Sequence, residues 1–326
     1  MAQSAEVCVS GTRLKGQKMK TFQGNIKPWL AACLLGGLAA CGGGGQDTIL
    51  GFDGTARPGV PGVGTGAAPA TAPAAANSLG VASRFGVFGG TAGMTNQGVG
   101  TVINGDIGTT AVSTAVTGFH DSSPGCTYTE VLGANIGTVT GLIYTAAPPP
   151  TVACPSEGTA TTFAIATQAR ADALAAYNGL VAKPGGSDPG AGNLANLVLV
   201  PATYTATGGS FMIQGGNLTL DAQGDANALW VFQMATSLTV GGPGAAFPSS
   251  VILVNGALAK NVYWQVGSAA TINAGGGGTM VGTIISQAGT AISTPGNAAI
   301  VTINGRVLSL GASVTMVNTV INVPTP

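Results

Sequence analysis

Short apolar segments of three kinds recur in the same order between Ser250 and Val320, and this repeat constrains the fold more than any other feature of the chain. One kind ends in glycine, the next is apolar on both faces, and the third alternates small polar with apolar residues. The first copies are VILVNG (251–256), VYWQV (262–266) and AATI (269–272). They return as TMVG, TIISQ and AIST, and again as VTING, RVLSL and SVTM. Three strand-like segments in about 20–30 residues are typical of a solenoid with a triangular cross-section.

Further copies of the repeat lie closer to the N-terminus. SFMI (210–213), LTLDAQG (218–224) and LWVFQM (229–234) belong to the same array, and TVING (101–105) closely matches VTING (301–305). Glycine accounts for 54 of the 326 residues, which suits many tight corners between short strands. The TVING copy stands far ahead of the main array. A solenoid that uses it must therefore be discontinuous in sequence.

One segment has helical rather than strand-like spacing. Residues Thr162 to Val181 form an Ala-rich stripe, and Pro184-Gly185-Gly186 ends the pattern. The stripe comprises Phe163, Ala166, Ala169, Ala173, Leu174, Ala176, Tyr177, Leu180 and Val181. Segments that are apolar on both faces need a cover on their outer side, so we predict that this helix packs along them. The other two faces of the solenoid would then be open to solvent.

The N-terminal segment has the pattern of an export signal. Basic residues precede a short apolar run, Trp29 to Ala40, which ends in Leu-Ala-Ala-Cys. This ending is similar to a bacterial lipobox, which would make Cys41 the lipidated first residue of the mature protein. The alternative is an ordinary signal that is cut nearby. We assign the signal to residues 1–40. Met19 is an alternative start of translation, because residues 1–18 add nothing that a signal needs.

Two further segments follow the signal. Residues 41–78 are rich in Gly, Pro and Ala and predict a flexible tether, whereas the strand-like pattern that begins at Leu79 predicts a folded domain over 79–326. Gly42 follows Cys41, as in Gram-negative lipoproteins that are sorted to the outer membrane. We therefore expect an exported protein that is held at the outer membrane or cell surface by a lipid anchor, or is secreted.

Few residues in the chain could carry catalysis. There is one histidine, His120, and the sequence has no CxxC, HExxH or phosphate-cradling loop. A β-helix carbohydrate lyase would need clustered acids, for which Asp221 and Asp225 are the nearest candidates. We therefore expect no enzymatic activity, no cofactor and no metal site. Cys126 and Cys154 lie in an irregular insert, and in an exported protein such cysteines most often pair, so we predict a disulfide.

The two open faces differ in polarity. We call them the small-polar face and the glycine-terminated face, after the segments that form them. Alternation on the small-polar face leaves hydroxyl-bearing residues outside, in ranks at strand spacing, about 4.7–4.9 Å. These predicted outer residues are Thr95, Ser210, Ser237, Thr239, Thr271, Ser293, Ser313 and Thr315. Met212, Ala269 and Ala291 interrupt the ranks, and the more mixed glycine-terminated face offers Thr279, Thr302 and Asn304.

Several of these segments resemble the microbial ice-binding proteins with a discontinuous β-helix. The resemblance covers about residues 79–322 and rests on SRFGVFGG, GMTNQG, TVINGDIGTT, LTLDAQGDANALWVFQM, ALAKNVYWQVGSAATI and VTINGRVLSL. It implies a mostly β fold, a right-handed, three-faced discontinuous β-helix with one long α-helix along one face. It also implies ice binding through a flat exposed face, without cofactor or turnover, that inhibits ice growth and recrystallisation or attaches the cell to ice.

The resemblance leaves the choice of face open. Our first choice for the ice-binding surface is the small-polar face, and the second is the glycine-terminated face. Thr and Ser also favour strands on any solvated sheet. The alternative function is a polysaccharide-binding or adhesive solenoid at the cell surface, although the open faces largely lack aromatic stacking residues. From Cys41 onward the chain has six basic and ten acidic residues, so we expect no nucleic-acid partner, and we expect a monomer.

Overall fold

Short parallel strands wind around one apolar core in the computed structural model, which describes residues 78–120, 126, 128, 136–242 and 248–325. These residues belong to one compact unit. The predicted signal, Cys41 and the tether before Ser78 lie outside the described residues. Within the described part, no helix is long and apolar enough to cross a membrane.

The small-polar face is a seven-stranded parallel sheet. In spatial order its strands are β11 (Phe211–Ile213), β14 (Leu238–Val240), β17 (Ala270–Ile272), β19 (Thr290–Ile292), β21 (Val314–Met316), β2 (Met94–Asn96) and β5 (Val116–Thr117). The last two strands come from the beginning of the folded chain. The sheet therefore joins distant parts of the sequence into one surface.

The face that lies under the helix belongs to a twelve-stranded sheet. The eight strands of this face are β10 (Thr203–Thr205), β13 (Trp230–Met234), β16 (Val262–Val266), the second halves of β18 (Thr279–Ser286) and β20 (Val301–Ser309), β1 (Phe85–Gly89), β4 (Asp106–Val112) and β8 (Ile143–Ala146).

The glycine-terminated face continues this sheet around a corner. It contains the first halves of β18 and β20, followed by β22 (Thr319–Asn322), β3 (Val102–Asn104), β7 (Gly137–Val139) and β6 (Phe119–His120). A separate three-stranded sheet of β9 (Val198–Leu199), β12 (Leu218–Asp221) and β15 (Val251–Val254) completes the face. Short 3-10 turns at Gly80–Arg84, Ser113–Ala115 and Ala259–Asn261 connect the faces.

One coil of the solenoid is assembled from both ends of the folded chain. Strand β22, near the C-terminus, pairs with β20, while β1 and β2 from the N-terminal part pair with β20 and β21 on the other two faces. The next coil, β3–β5, then stacks on this composite coil. The expected discontinuity is confirmed. TVING (101–105) does not lie directly against VTING (301–305), because β22 is inserted between them.

Aromatic side chains stack inside the first coils. Phe232 lies between Tyr204 and Trp264, with ring centroids 5.5 Å and 4.0 Å apart, respectively. The Trp264 indole N–H donates to the carbonyl oxygen of Val281 at 2.8 Å, so its one polar group is satisfied in the core. Stacked rings in equivalent positions bury large apolar areas in each coil and tie neighbouring coils together.

Helix α1 (Ala160–Val181) covers the predicted face and begins two residues before Thr162. Thr159 caps it by accepting from the Thr162 backbone N–H at 3.2 Å. The alanines of the predicted stripe are buried against apolar side chains that include Phe88, Tyr263 and Leu308. Small residues let the helix approach the sheet closely.

Two members of the predicted helical stripe lie outside it. Phe163 and Val181 are 41% and 51% exposed, so their placement on the packed stripe was wrong. Each residue advances about 100° around a helix, and Thr162 and Leu180 take the buried positions next to them. The stripe is therefore narrower than the apolar pattern suggested.

Two glutamines of the sheet hold the C-terminal end of the helix. The Gln233 amide donates to the carbonyl oxygens of Leu180 and Lys183 at 2.8 Å and 3.0 Å. The Gln265 amide donates to the Tyr177 hydroxyl at 2.7 Å. The two Gln233 bonds reach carbonyls at the end of the helix, where intrahelical donors run out. Elsewhere, a disulfide joins Cys126 to Cys154, with their Cα atoms 5.2 Å apart.

The corner at which β18 and β20 change face depends on stacked glycines. Gly282 and Gly305 pair across the two strands, and a Cβ at Gly305 would lie 1.8 Å from the Gly282 carbonyl oxygen. Such a contact is far inside van der Waals distance, so neighbouring coils can stack at this corner only if residue 305 is glycine.

We expect Gly305→Ala to lower the free energy of unfolding by about 1–3 kcal/mol, because the added methyl group pushes the two coils apart. Gly208→Ala is the matched control, since a Cβ at Gly208 would meet nothing within 4 Å. Thermal melts followed by circular dichroism would measure both. Equal melting temperatures for the two variants would contradict this account of the corner.

Candidate functional site

The outward residues at the centres of the small-polar strands form a single line, which we call the threonine row. Backbone pairing places one of them on each of the seven strands. In spatial order they are Met212, Thr239, Thr271, Ala291, Thr315, Thr95 and Thr117. Neighbouring members lie about 4.7–4.9 Å apart, the spacing of adjacent strands. The row is thus a regular ladder of methyl and hydroxyl groups.

The core fixes the orientation of this row. Each central residue stands between two inward residues, as Thr239 does between Leu238 and Val240, which are both fully buried. Side chains alternate along a strand, so burial of the two neighbours directs the central side chain to solvent. Thr315 is exposed and the other row members are half-buried. The Thr117 hydroxyl donates to the Thr95 hydroxyl at 3.0 Å.

A second line of small residues runs along one edge of the threonine row. Ser210, Ser237 and Ser313 precede their strands and are half-buried, and Ala269 takes the equivalent position on another strand. The hydroxyls of Ser210 and Ser237 lie 3.0 Å apart. Thr236 was not among the predicted residues, but it is exposed, and its hydroxyl lies 2.6 Å from that of Ser210. The edge therefore continues the small-polar character of the row.

One predicted member of the face was wrong. Ser293 is buried, has a left-handed backbone with φ of 59°, and lies just beyond the strand that contains Ile292. The sequence comparison aligned Ile292 with Ala270, whereas the backbone pairs it with Ile272. This coil is two residues shorter than the spacing of the sequence repeat. The predicted partners of this strand were therefore displaced by two positions. Both Thr290 and Ile292 are buried, but it is Thr290 that lies opposite Ala270.

Thr117 belongs to the threonine row but was not predicted. Its strand is two residues long, and it pairs with β2 at the end of the sheet. The signal that could have found it is the repeat of an apolar residue followed by threonine in Met94-Thr95 and Val116-Thr117. The strand has no third residue to complete the alternating pattern, so alternation alone does not predict it.

The electrostatics of the small-polar face are simple. No residue in its seven strands is charged or titratable. Its inner side is fully occupied by core residues, and its outer side carries only short side chains apart from Met212. The surface can therefore offer hydroxyl and methyl groups in register, without a strongly hydrated charge among them.

The glycine-terminated face has a different chemistry. Thr279 pairs with Thr302, but valines occupy the same line on β22 and β3. Asn104, Asn322 and Asn304 form a ladder in which each amide donates to the next, at 2.8 Å and 2.9 Å. The amides thus satisfy one another in part, which reduces what they can offer to a ligand.

Strands β9, β12 and β15 of the same face carry both a charge and exposed apolar side chains. Val198 and Ile252 are 65% and 41% exposed. Asp221 accepts from the Asn255 amide at 2.8 Å and from the Gln223 N–H, and these bonds lower the pKa of its carboxyl group. Asp221 is therefore ionised at neutral pH. This face lacks the uniformity of the threonine row.

The residues considered for catalysis have structural partners. Asp221 accepts from Gln223 and Asp225 accepts from the Asn227 N–H, as side chains in turns commonly do. His120 Nε2 lies 3.3 Å from the Thr138 hydroxyl. Among the described residues, the group of potential metal ligands is Cys126, Cys154 and Glu157. Its two sulfur atoms are bonded to each other and are not thiolate ligands.

Comparison with known proteins gives a consistent result. The family model described as "Ice-binding-like" matches residues 88–322. An ice-binding protein from Nostoc sp. (strain HG1) is 33% identical over 243 residues, which are 74% of this chain and 72% of that protein.

Solved structures give the same match. An ice-binding protein from an Antarctic biological consortium has a TM-score of 0.55 at 30% identity, with 75% of this chain and 90% of that chain covered. A glycosylated ice-binding protein from an Arctic yeast has a TM-score of 0.58 at 28% identity, with 77% and 95% covered.

The pairing of Thr95 with Thr315 is the contact that joins the two ends of the folded chain in the threonine row. We expect the double variant Thr95→Cys/Thr315→Cys to form a disulfide under mild oxidation. Adjacent strands of this parallel sheet lie about 4.7–4.9 Å apart, which falls within the Cα separation of about 4.4–6.8 Å that disulfides span. Mass spectrometry of cysteine-containing peptides would detect the bond.

The double variant Thr95→Cys/Thr239→Cys is the control, because three strands separate these two positions in the same row. A cross-link in the control pair but not in the adjacent pair would contradict the composite coil.

Proposed function

The chain belongs to the ice-binding-like family, and from this premise we propose that it binds ice crystals through the threonine row and the serine edge beside it. Binding would inhibit ice growth and recrystallisation, or attach the cell to ice. The observation that carries the proposal is the register of five threonines on one uncharged, seven-stranded sheet. The surface consists of Thr95, Thr117, Thr239, Thr271 and Thr315, with Ser210, Ser237, Thr236 and Ser313 at its edge.

Ice presents a repeating array of oxygen atoms, and a repeating protein surface can match it at many points at once. The hydroxyls of the row can hydrogen-bond to water, and the methyl groups beside them limit the positions that this water can adopt. Because the strands are held by core packing on one side, little conformational entropy is lost on binding. Water ordered between the hydroxyls can act as a bridge to the crystal.

Features of the other open face argue against it as the main surface. The ionised Asp221 attracts a hydration shell that does not match a neutral lattice. The ladder through Asn304 uses part of its amide hydrogen-bonding capacity. Thr279 and Thr302 form only a short threonine pair. We therefore propose the glycine-terminated face only as the second candidate.

We also propose an exported, lipid-anchored form of the protein. In this arrangement residues 1–40 are the signal, Cys41 carries the lipid, and residues 41–78 hold the domain 79–326 away from the membrane. The lipobox-like Leu-Ala-Ala-Cys sequence and the Gly/Pro/Ala-rich composition support it. The domain would act as a monomer, without a cofactor and without enzymatic turnover, since one flat face is sufficient to contact a crystal.

Thr271 lies near the middle of the row, so a bulky substitution there should separate the surface from ice. We expect Thr271→Tyr, alone or with Thr239→Tyr, to abolish thermal hysteresis and the shaping of ice crystals by the full chain. Nanolitre osmometry and microscopy of growing crystals would measure both effects. Circular dichroism should show an unchanged fold, because the side chain points to solvent.

The matched control is Thr302→Tyr, which places the same ring on the glycine-terminated face. This variant should retain its hysteresis. Loss of activity in Thr302→Tyr together with full activity in Thr271→Tyr would assign ice binding to the second face. Wild-type protein without any effect on ice would reject the proposed function itself.

A further inference from the structure

A pocket of about 200 Å³ lies away from the threonine row, between the start of the folded domain and its C-terminal end. It is lined by Arg306, Lys260, Tyr263, Leu79, Ser83 and Thr325, together with Asn261. None of these residues belongs to the strands of the small-polar face. The pocket is therefore a separate feature, which ice binding does not use.

The pocket contains a buried positive charge. Arg306 is 4% exposed, and the ion pair found among the described residues joins Arg84 to Asp106 and does not include it. Burial lowers the pKa of the Arg306 guanidinium, and the nearby Tyr263 hydroxyl opposes this effect. Guanidinium groups remain charged in proteins, so this cation lies in a low-dielectric site, and no carboxylate of the described residues forms an ion pair with it. Buried charges are normally paired.

The protein uses only part of the hydrogen-bonding capacity of Arg306. Nε donates to the Ser83 carbonyl oxygen at 2.7 Å, and Nη2 donates to the Pro324 carbonyl oxygen at 3.0 Å. A guanidinium has five N–H donors, and neutral carbonyls do not balance its charge. The exposed Lys260 adds a second cation to the pocket lining. An oxyanion would be the complementary ligand, because it accepts several charge-assisted bonds.

The size and walls of the pocket narrow the class of anion. One water molecule takes roughly 30 Å³ of liquid volume, so a bare inorganic ion would leave much of the pocket empty. Leu79 and the ring of Tyr263 provide apolar wall, and Ser83 and Thr325 add polar side chains to the lining. The Ser83 hydroxyl donates to the Gly80 carbonyl oxygen at 2.7 Å, so it can still accept a hydrogen bond from a ligand hydroxyl. These features suit a carboxylate on a small polyhydroxylated carbon skeleton.

We propose that this pocket binds a sugar acid, and that Arg306 and Lys260 bind the carboxylate of the sugar acid. The sugar acid could be free or could be a uronate unit of a surface polysaccharide, and both offer the same chemistry. Because the pocket shares no residue with the threonine row, a ligand bound there leaves the ice-binding face open. Binding should weaken as ionic strength rises, since salt screens the attraction.

The test is a calorimetric titration of the full chain with sodium glucuronate at constant ionic strength. Glucose serves as the neutral control, inorganic phosphate as the bare oxyanion, and an oligouronate as the polymer-derived source. We expect saturable binding of glucuronate and none of glucose. Lys260→Gln should weaken binding about fivefold, the value of one exposed ion pair, and Lys260→Glu should abolish it. Arg306→Gln should also abolish binding.

Arg306→Gln removes a buried contact and could unfold the domain, so the two Lys260 variants decide the outcome in that case. Both should keep the melting temperature and thermal hysteresis of the wild type, because Lys260 is exposed and lies in the 3-10 turn Ala259–Asn261, outside the strands of the small-polar face. Absence of glucuronate binding, equal binding of glucose, or unchanged affinity in Lys260→Glu would overturn the proposal. Tighter binding of phosphate than of glucuronate would overturn the ligand class. Tighter binding of the oligouronate than of glucuronate would identify a polysaccharide as the source of the sugar acid.

Discussion

Parallel backbone pairing between successive coils is the interaction on which the rest of the structure depends. It places residues of equivalent position directly above one another, so any regularity within a coil becomes a line along the whole solenoid. Thr239, Thr271 and Thr315 gain their spacing from this pairing and not from direct contacts with one another. The same pairing stacks Phe232 on Trp264 inside and Asn304 near Asn322 outside. Order on the surface is a consequence of order in the core.

The composite coil extends this order across the two ends of the folded chain. β1 and β2 continue the sheets that β20 and β21 would otherwise leave as open edges, and β22 does the same on the third face. The threonine row reaches its full length only because Thr95 and Thr117 arrive from this part of the sequence. The length of the row and the joining of the two ends of the folded chain therefore depend on the same set of hydrogen bonds.

Alternation and composition were sufficient to predict the three faces, the covering helix and the out-of-order coil. They were insufficient where local coil length decides the register. Ser293 was misplaced because its coil is shorter than its neighbours, and an error of two residues preserves the inward and outward pattern while shifting every pair. Phe163 was misplaced because helical periodicity predicts which side of the helix faces the sheet, but not how many residues around the helix are buried there. The charge in the Arg306 pocket could not be read from the sequence, because it depends on segments that meet only in the folded chain.

We propose that the threonine row, and not the glycine-terminated face, lies against ice. Solid-state NMR of the frozen protein with 13C-labelled threonine methyl groups would test it by measuring polarisation transfer from ice protons to each methyl carbon. The account predicts the fastest transfer to Thr95, Thr239, Thr271 and Thr315, and slow transfer to Thr279 and Thr302. Equal or faster transfer to the Thr279 and Thr302 pair would contradict it.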